Sequence, residues 1–460
     1  MSTLIIRDNS LGTTPLKSLL RSLAVPAIIS NVVNALYNII DQVFIGQGVG
    51  KLGNASTNVS FPLTTICMAI GLMVGLGSAS GFNLELGKKN ENRAKRIAGT
   101  AAVMLLISGA VISITVRIFL HPLLILFGAT KNIMPFAADY SGITSLGIPF
   151  LMFSTGINPL IRADKSPRYA MNAIVMGALL NTILDPLFIF VWDLGIKGAA
   201  WATVISQMLS ALLHAFYFKR FRSVKFVLSN FIPKFKDSGY ICKLGFNFFV
   251  FQFSNLLVQI VMNNVLRIYG EKSIYGSDTT IAAAGIVMKI SVIFFALING
   301  LVNGAQPICS YNYGAKKYIR VRDTVKLVIK TAIIISSLIW FIFELFPQAL
   351  ICLFSSSEDD LLYLEFAIKF MRIYLFCIFI NGVPICSATF FTAIGNATKG
   401  TILSFAKQLV FRVPLLLIMP ICLGINGVMY AQVITDMLSF VLAIVFLTDE
   451  FRKMPQKDFS

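Results

Sequence analysis

Two aspartates lie within long apolar segments of the sequence, where an ionised side chain is costly. Asp41 follows an apolar run, 19–40, that carries no charge after Arg21, and Asp185 follows the apolar run 173–184. A carboxylate at membrane depth costs about 2.5–3.5 kcal/mol on insertion scales, and such residues usually line a polar cavity or an ion path. The two aspartates therefore predict a site that binds and releases a cation inside a membrane.

Polar side chains share helix faces with both aspartates. Tyr37 precedes Asp41 by four residues, and Asn181 precedes Asp185 by four, so each pair lies on one face of a helix. We expect polar residues of neighbouring spans to face the same interior. The further residues predicted for this interior are Asn34 beside Asp41, Asn158 at the end of the fourth span and Thr203 in the sixth.

Carboxylate, amide and hydroxyl oxygens grouped in an apolar bundle form a hard-oxygen site. Such a site can bind Na⁺, for which we predict Asp41, Asp185 and Asn181 as ligands, or it can hold a proton. The sequence does not decide between the two ions. The alternative is that each aspartate has a structural role, with Asp185-Pro186 marking only a helix distortion.

The second half of the chain has no aspartate pair of this kind but carries its own charges within spans. Lys289 lies deep in the eighth span, where its ammonium group cannot easily reach the interface, and it is predicted to line the substrate cavity. Asp436 has Lys289, Lys407 and Arg412 as candidate partners. The sequence leaves open whether Lys289, Arg412 and Asp436 are functional or structural.

These residues need a membrane-embedded helical scaffold, and the composition predicts one. The chain has 460 residues, of which 56% are hydrophobic and 13% charged, with mean hydropathy +0.78. A soluble protein carries about 25% charged residues. Twelve segments are apolar over the roughly 20 residues that a span requires. We therefore predict an all-α membrane protein with twelve transmembrane helices and no cleaved signal peptide.

The positive charge has an uneven distribution that predicts orientation rather than nucleic-acid binding. Of the 39 Lys and Arg residues, 27 fall in segments that twelve spans place on the side of the N-terminus, and 6 fall in loops on the other side. Cytoplasmic loops are enriched in Lys and Arg. Both termini are therefore predicted to be cytoplasmic, and nucleic acid is not an expected partner.

The two halves of the chain repeat one design. The segment 194–205 matches 423–434 at seven identical positions, with no gap between the two segments. Six spans per half give both halves the same topology, as in many transporters built from parallel repeats. We predict an N-terminal lobe at 1–222, a cytoplasmic interlobe loop at 223–239 and a C-terminal lobe at 240–460.

No motif of enzyme chemistry is present in the sequence. It contains no GxxxxGK[ST] phosphate loop, no HExxH and no GxSxG. The seven cysteines have no metal-ligand spacing, so we expect buried apolar thiols and no metal or organic cofactor. The chain is predicted not to be an enzyme.

Four segments resemble the multidrug and toxic compound extrusion (MATE) transporters, in particular the prokaryotic DinF-type and related branches. The similarity extends over the whole chain through its length, its twelve spans and its two-lobe repeat. The segments that carry it are Leu36-Tyr37-Asn38 with Asp41, Asn158-Pro159-Leu160-Ile161-Arg162-Ala163, Asn181-Thr182-Ile183-Leu184-Asp185-Pro186, and Gly198-Ala199-Ala200-Trp201-Ala202-Thr203.

This resemblance implies a V-shaped pair of six-helix bundles that works as a Na⁺- or H⁺-driven antiporter. It also assigns roles to residues of this sequence. The implied N-lobe cation site consists of Asp41, Asn158, Asn181, Asp185 and Thr203; Tyr37 and Tyr140 surround the same cavity, and Pro26 is the bending proline of the first helix. The seventh span departs from other branches because it offers Gln252 and several asparagines but no acid, which argues against a C-lobe Na⁺ site.

The combined prediction is an antiporter of the bacterial or archaeal cytoplasmic membrane. It would work as a monomer in lipid and export amphipathic, cationic compounds in exchange for H⁺ or Na⁺, with substrate contacts from Tyr37, Tyr140, Asn34, Lys289 and Gln252. The first alternative is a flippase for lipid-linked oligosaccharides, which favours a cavity lined by Arg and Lys. The second is a membrane-embedded enzyme or receptor.

Overall fold

The protein is almost entirely helical in the part described by its computed structural model, which covers residues 10–352, 361–455 and 458. No β-strand occurs among these residues. Eleven helices are long and apolar enough to cross a membrane, and a bent pair of helices adds a twelfth candidate span. The predicted fold class, an all-α membrane protein with twelve spans, is therefore confirmed.

The first half supplies six spanning helices. A short helix, Ser10–Thr13, precedes them, and Leu120–Leu126 follows the third. The spans are α1 Leu16–Gly48, α2 Lys51–Gly87, α3 Glu91–Ile118, α4 Met134–Ala163, α5 Pro167–Pro186, which continues as the π-helical turn Leu187–Val191, and α6 Gly195–Tyr217.

The second half repeats the pattern. Two 3₁₀ turns, Phe218–Arg220 and Leu228–Phe231, connect the halves, and Pro347–Cys352 follows the ninth span. The spans are α7 Phe235–Glu271, α8 Ser277–Gly314, α9 Tyr318–Leu345, α10 in two pieces, Leu361–Tyr374 and Ile378–Ala393, α11 Ala397–Phe405 with the π-helical turn Ala406–Arg412 and then Val413–Leu423, and α12 Asn426–Lys453.

The two pieces of α10 meet at 51°. Helix α7 begins at Phe235, inside the segment predicted as the interlobe loop. The sequence did not predict this first turn of the helix because its residues before 240 are mostly polar and do not contribute to the hydropathy of the span. The lobe boundaries at 222 and 240 stay a prediction.

The halves pack closely at one end of the bundle, which we call the basic end because the α2–α3 and α8–α9 connections there, 88–96 and 316–322, are rich in Lys and Arg. Glycines permit the contact. A Cβ on Gly245 of α7 would lie 1.7 Å from the Met73 carbonyl oxygen of α2, and one on Gly87 would lie 2.2 Å from the Tyr311 oxygen of α8. Backbones this close exclude any side chain.

Hydrogen bonds cross the same interface. Gln306 Nε2 of α8 donates to the Leu76 carbonyl oxygen at 3.1 Å and to Ser80 Oγ at 2.7 Å on α2. The chain before α1 also reaches the second half, since Asn312 Nδ2 donates to the Leu11 carbonyl oxygen at 2.9 Å. The basic ends of the two halves are thus joined through backbone and side-chain contacts.

An ion-pair group reinforces this contact. Asp237, at the start of α7, accepts a hydrogen bond from Arg96 Nε at 3.2 Å and lies 3.8 Å from Arg93 Nε, and both arginines belong to α3. The Arg93 guanidinium stands 4.8 Å above the Tyr240 ring. Asp237 is buried, so its charge depends on these two arginines of the other half.

We expect Asp237→Asn to loosen the basic end. A charge-assisted hydrogen bond contributes about 1.5–3 kcal/mol, and the variant loses one such bond and a second ion pair. Cys242 is half-buried and lies five residues after Asp237 on α7, so its thiol should become more accessible when the two halves separate at the basic end. Its alkylation by a maleimide in detergent, followed by mass spectrometry, should become several-fold faster.

Asp449→Asn is the matched control, because Asp449 pairs with Lys399 and Lys453 within the second half alone. It should leave the alkylation rate of Cys242 unchanged. An unchanged rate in Asp237→Asn as well would show that this ion pair does not hold the halves together.

Candidate functional site

The two aspartates of the apolar runs meet in the first half. Asp41 lies in the last two turns of α1, and Asp185 in the last turn of α5. Their carboxyl groups come within hydrogen-bonding range of each other. Asp185 is fully buried and Asp41 is half-buried. Two helices far apart in the sequence are thus brought together at the end opposite to the basic end.

Four more polar side chains surround this pair. Asn181 Nδ2, one turn before Asp185, donates to its Oδ1 at 3.2 Å. Tyr37 and Tyr140 lie near the two aspartates, and Tyr140 also lies near Thr203. The cluster therefore draws on α1, α4, α5 and α6, and we call these six residues the acidic cluster: Tyr37, Asp41, Tyr140, Asn181, Asp185 and Thr203.

Several oxygens of the acidic cluster have no hydrogen-bond partner. These atoms are Asp41 Oδ1, Asn181 Oδ1 and Asp185 Oδ2. Within the described ranges, neither aspartate forms an ion pair with Lys or Arg. Buried polar atoms are nearly always paired, and two carboxylates in contact repel each other when both are charged. The arrangement suits a small cation, either a proton shared by the carboxyls or Na⁺ held by the unpartnered oxygens.

Helix geometry changes at the acidic cluster. Asp185 is followed by Pro186 and the π-helical turn Leu187–Val191. The helix distortion expected at Asp185-Pro186 is therefore present. It lies directly beside the carboxyl pair, so the distortion and the polar site occur together. Single π-helical turns are found frequently at functional sites.

Asn158 lies away from the acidic cluster. Its Nδ2 donates to the Ala170 carbonyl oxygen at 2.8 Å and contacts His214 Nε2 at 3.1 Å, and its Oδ1 accepts from Arg162. Asn158 and Tyr140 are eighteen residues apart on α4, which is about 27 Å along the helix axis. The structure does not bring Asn158 to the carboxyl pair, and its predicted part in ion coupling stays untested.

The other predicted residues occupy three helices. Asn34 is half-buried on α1, where its carbonyl oxygen accepts from Asn38 Nδ2 at 2.6 Å. Gln252 is half-buried on α7, and Lys289 is exposed on α8. Pro26 is buried inside α1, which continues through it. The roles predicted for these four residues are not tested by their positions.

The partner of Asp436 is Lys407 rather than Lys289. Lys407 Nζ lies 3.3 Å from Asp436 Oδ1 and also donates to Asn381 Oδ1. Gln432 Nε2 donates to the other oxygen, Asp436 Oδ2, at 2.9 Å. This choice among three candidate cations was open in the sequence.

A matching polar stripe on the first helix of each half was missed in the sequence. Each stripe follows one helix face with the same spacings, three, four and three positions. The α1 stripe is Asn31, Asn34, Asn38 and Asp41, and the α7 residues are Gln252, Asn255, Gln259 and Met262. Met262 thus stands in α7 where Asp41 stands in α1.

Comparison with known proteins gives the same two-part organisation. The family model described as MatE matches residues 26–187 and again 247–418. The multidrug export protein MepA of Staphylococcus aureus (strain MSSA476) is 23% identical over 435 residues, which are 94% of each chain. These relatives do not address the DinF-type branch, which stays a prediction.

Solved structures share the fold over nearly the full length. The outward-facing conformation of a multidrug resistance MATE family transporter of the MOP superfamily superposes with a TM-score of 0.91 at 23% identity, covering 97% of this chain and 98% of the other. A MOP superfamily transporter from Pyrococcus furiosus, described as having a binding pocket of reverse polarity, gives the same values. The chain belongs to the MatE family and has the fold of the MATE transporters.

Proposed function

We propose that this protein is a secondary active antiporter that exports small amphipathic cations in exchange for H⁺ or Na⁺. The observation that carries the proposal is the proximity of the Asp41 and Asp185 carboxyl groups inside an apolar bundle, with no Lys or Arg paired to either among the described residues. The relatives named above as multidrug exporters support export of small molecules, and the cationic character of the substrates is inferred from the two carboxyl groups.

Coupling follows from the charge of the acidic cluster. With both carboxylates ionised, the cluster attracts a cation, and a bound proton or Na⁺ reduces that attraction. An exported cation and the coupling ion therefore compete, and linkage requires that each lowers the affinity of the other by the same factor. Asn181 and Thr203 would supply neutral oxygens to Na⁺, and Tyr37 and Tyr140 would offer ring faces to an organic cation.

The orientation of the protein in the membrane decides whether the described conformation faces inward or outward. The excess of Lys and Arg at the basic end supports a cytoplasmic position for that end and for both termini. Because the halves are sealed against each other there, the described conformation would be outward-facing. In such a state the half-buried Asp41 would exchange ions with the outside.

The proposal also covers the oligomeric state, the location and the absence of other activities. It would work as a monomer in the cytoplasmic membrane of a bacterium or archaeon, with no organic cofactor and no enzyme activity of its own. The flippase alternative requires a cavity that receives a pyrophosphate, and two unpartnered carboxylates would repel that group.

Proteoliposomes under separately imposed Na⁺ and pH gradients test the proposal. A cationic dye should move against its gradient when one of the two ions is supplied on the opposite side, and dissipating that ion gradient with an ionophore should stop it. Dye movement that is independent of both gradients would overturn the antiporter, and gradient-independent flipping of a lipid-linked sugar would favour the alternative.

A further inference from the structure

Arg412 is a buried cation that has no carboxylate partner. It lies in the π-helical turn of α11 and is 9% exposed. Its Nη2 donates to the Tyr374 hydroxyl, its Nη1 donates to Gln408 Oε1 at 3.3 Å, and its Nε has no partner. None of the ion pairs formed by described residues includes Arg412. Charged residues are almost never fully buried without a partner, and isolating a charge costs several kcal/mol.

The neighbouring charges do not neutralise Arg412. Asp436 is already paired with Lys407 at 3.3 Å, and Lys407 and Asp436 belong to α11 and α12. Two cations and one carboxylate leave this part of the second half with a formal charge of +1. We call the group the basic cluster: Tyr374, Lys407, Gln408, Arg412, Gln432 and Asp436.

The basic cluster occupies the place in the second half that the acidic cluster occupies in the first. Gln432 of α12 corresponds to Thr203 of α6 in the sequence repeat. The Tyr374 hydroxyl contacts Met262 Sδ at 3.8 Å, and Met262 corresponds to Asp41. Both clusters adjoin a π-helical turn, in α5 and in α11. Equivalent places in the two halves therefore carry opposite net charge.

A short hydrogen-bond path joins Arg412 to the polar stripe of α7. Gln408 accepts from Arg412 and donates through Nε2 to Asn255 Oδ1 at 2.6 Å. Asn255 is half-buried on the stripe, one turn from the exposed Gln259. A ligand on the stripe therefore reaches the guanidinium by displacing one amide side chain.

We propose that Arg412 forms a subsite for the carboxylate of the exported compounds, so that the protein accepts zwitterionic amphiphiles whose amine faces the acidic cluster. The inference rests on the proposed function. Guanidinium offers two parallel donors to a carboxylate, which gives both strength and orientation. Displacing the Gln408 amide frees Nη1, and Nη1 together with Nη2, which now donates to the Tyr374 hydroxyl, supplies those two donors.

A matched pair of dyes tests the subsite. Tetramethylrhodamine carries a free carboxylate and is zwitterionic, and its methyl ester is a cation of nearly the same shape. Binding to purified protein is followed by fluorescence anisotropy, and transport is followed in proteoliposomes. Arg412→Gln should weaken binding of the zwitterion about tenfold and change binding of the ester less than about twofold, as loss of one charge-assisted contact predicts. Arg412→Lys should recover part of the affinity.

Arg372→Gln is the matched control, because Arg372 is exposed and its ion pair with Glu344 at 3.7 Å lies outside both clusters. It should bind both dyes as the wild type does. If Arg412→Gln weakens binding of both dyes equally, or leaves the binding of both dyes unchanged, the proposed subsite is wrong.

The two proposals fail separately. If the wild type prefers the zwitterion in the binding assay through Arg412 but moves neither dye under an ion gradient, the antiporter proposal falls and the subsite stands. If the wild type transports the ester under a gradient and Arg412→Gln does not alter the ratio of the two dyes, the subsite falls and the antiporter stands.

Discussion

Replacing Asp41 by Asn is expected to reduce gradient-driven efflux to the level of empty liposomes while the protein stays folded. The amide keeps the shape of the side chain but cannot carry the charge that attracts a cation or a proton. Asp41 and Asp185 lie close to each other and neither is paired with Lys or Arg among the described residues, so the substitution also removes like-charge repulsion. The melting temperature in detergent should therefore be unchanged or higher. Dye efflux in proteoliposomes and thermal unfolding measure the two effects.

Asp139→Asn controls for the general effect of losing an acid in this half. Asp139 immediately precedes Tyr140, but its side chain is 45% exposed and pairs with Lys197 at 3.4 Å. Its variant should transport at the wild-type rate. Wild-type efflux in Asp41→Asn, at matched amounts of inserted protein, would remove the basis for placing ion coupling in the acidic cluster.

Part of the acidic cluster could be predicted from the residues themselves, because an ionised residue within an apolar run has few structural roles, whereas Tyr140 entered only through the family resemblance. Asp41 and Asp185 stand out without any knowledge of helix packing, and the spacing of four residues correctly pairs Asn181 with Asp185. The count of spans follows in the same way from hydropathy, since a membrane leaves the backbone little choice other than helix.

Depth along a helix was the weaker part of the prediction. Asn158 carries a polar amide in a motif-like segment, yet it lies at the basic end of α4, where Arg162 and His214 take its hydrogen bonds. The rise of about 1.5 Å per residue along a helix would have separated Asn158 from Tyr140 in advance. Asn158 was assigned to the cation site as a polar residue of the fourth span and through the family resemblance, and neither argument considered its depth along α4.

Partners on different helices could not be chosen from the sequence. Asp436 had three candidate cations, and only the packing of α11 against α12 selects Lys407. The matching stripes of α1 and α7 were visible as a spacing but escaped notice, because the offset that aligns these two helices is shorter than the one that aligns α6 with α12.

Gly245→Ala is expected to abolish transport through the contact between the halves. The new Cβ would lie 1.7 Å from the Met73 carbonyl oxygen and 2.6 Å from its carbonyl carbon, both of which are backbone atoms of α2. Backbone cannot rotate away as a side chain can, so α7 must separate from α2 by about 1 Å or more to restore ordinary contact distances. The basic end would then fail to close, and Cys242, three residues earlier, should be alkylated several-fold faster.

Gly239→Ala is the matched control on the same helix. Nothing lies within 4 Å of a Cβ built at Gly239, and alanine in a helix is about 1 kcal/mol more favourable than glycine. This variant should keep wild-type efflux and melt at the same or a higher temperature. Because both variants gain the same helix propensity, any difference between them measures the contact alone. Wild-type efflux and Cys242 alkylation in Gly245→Ala would mean that closure at the basic end does not require this approach of α2 and α7.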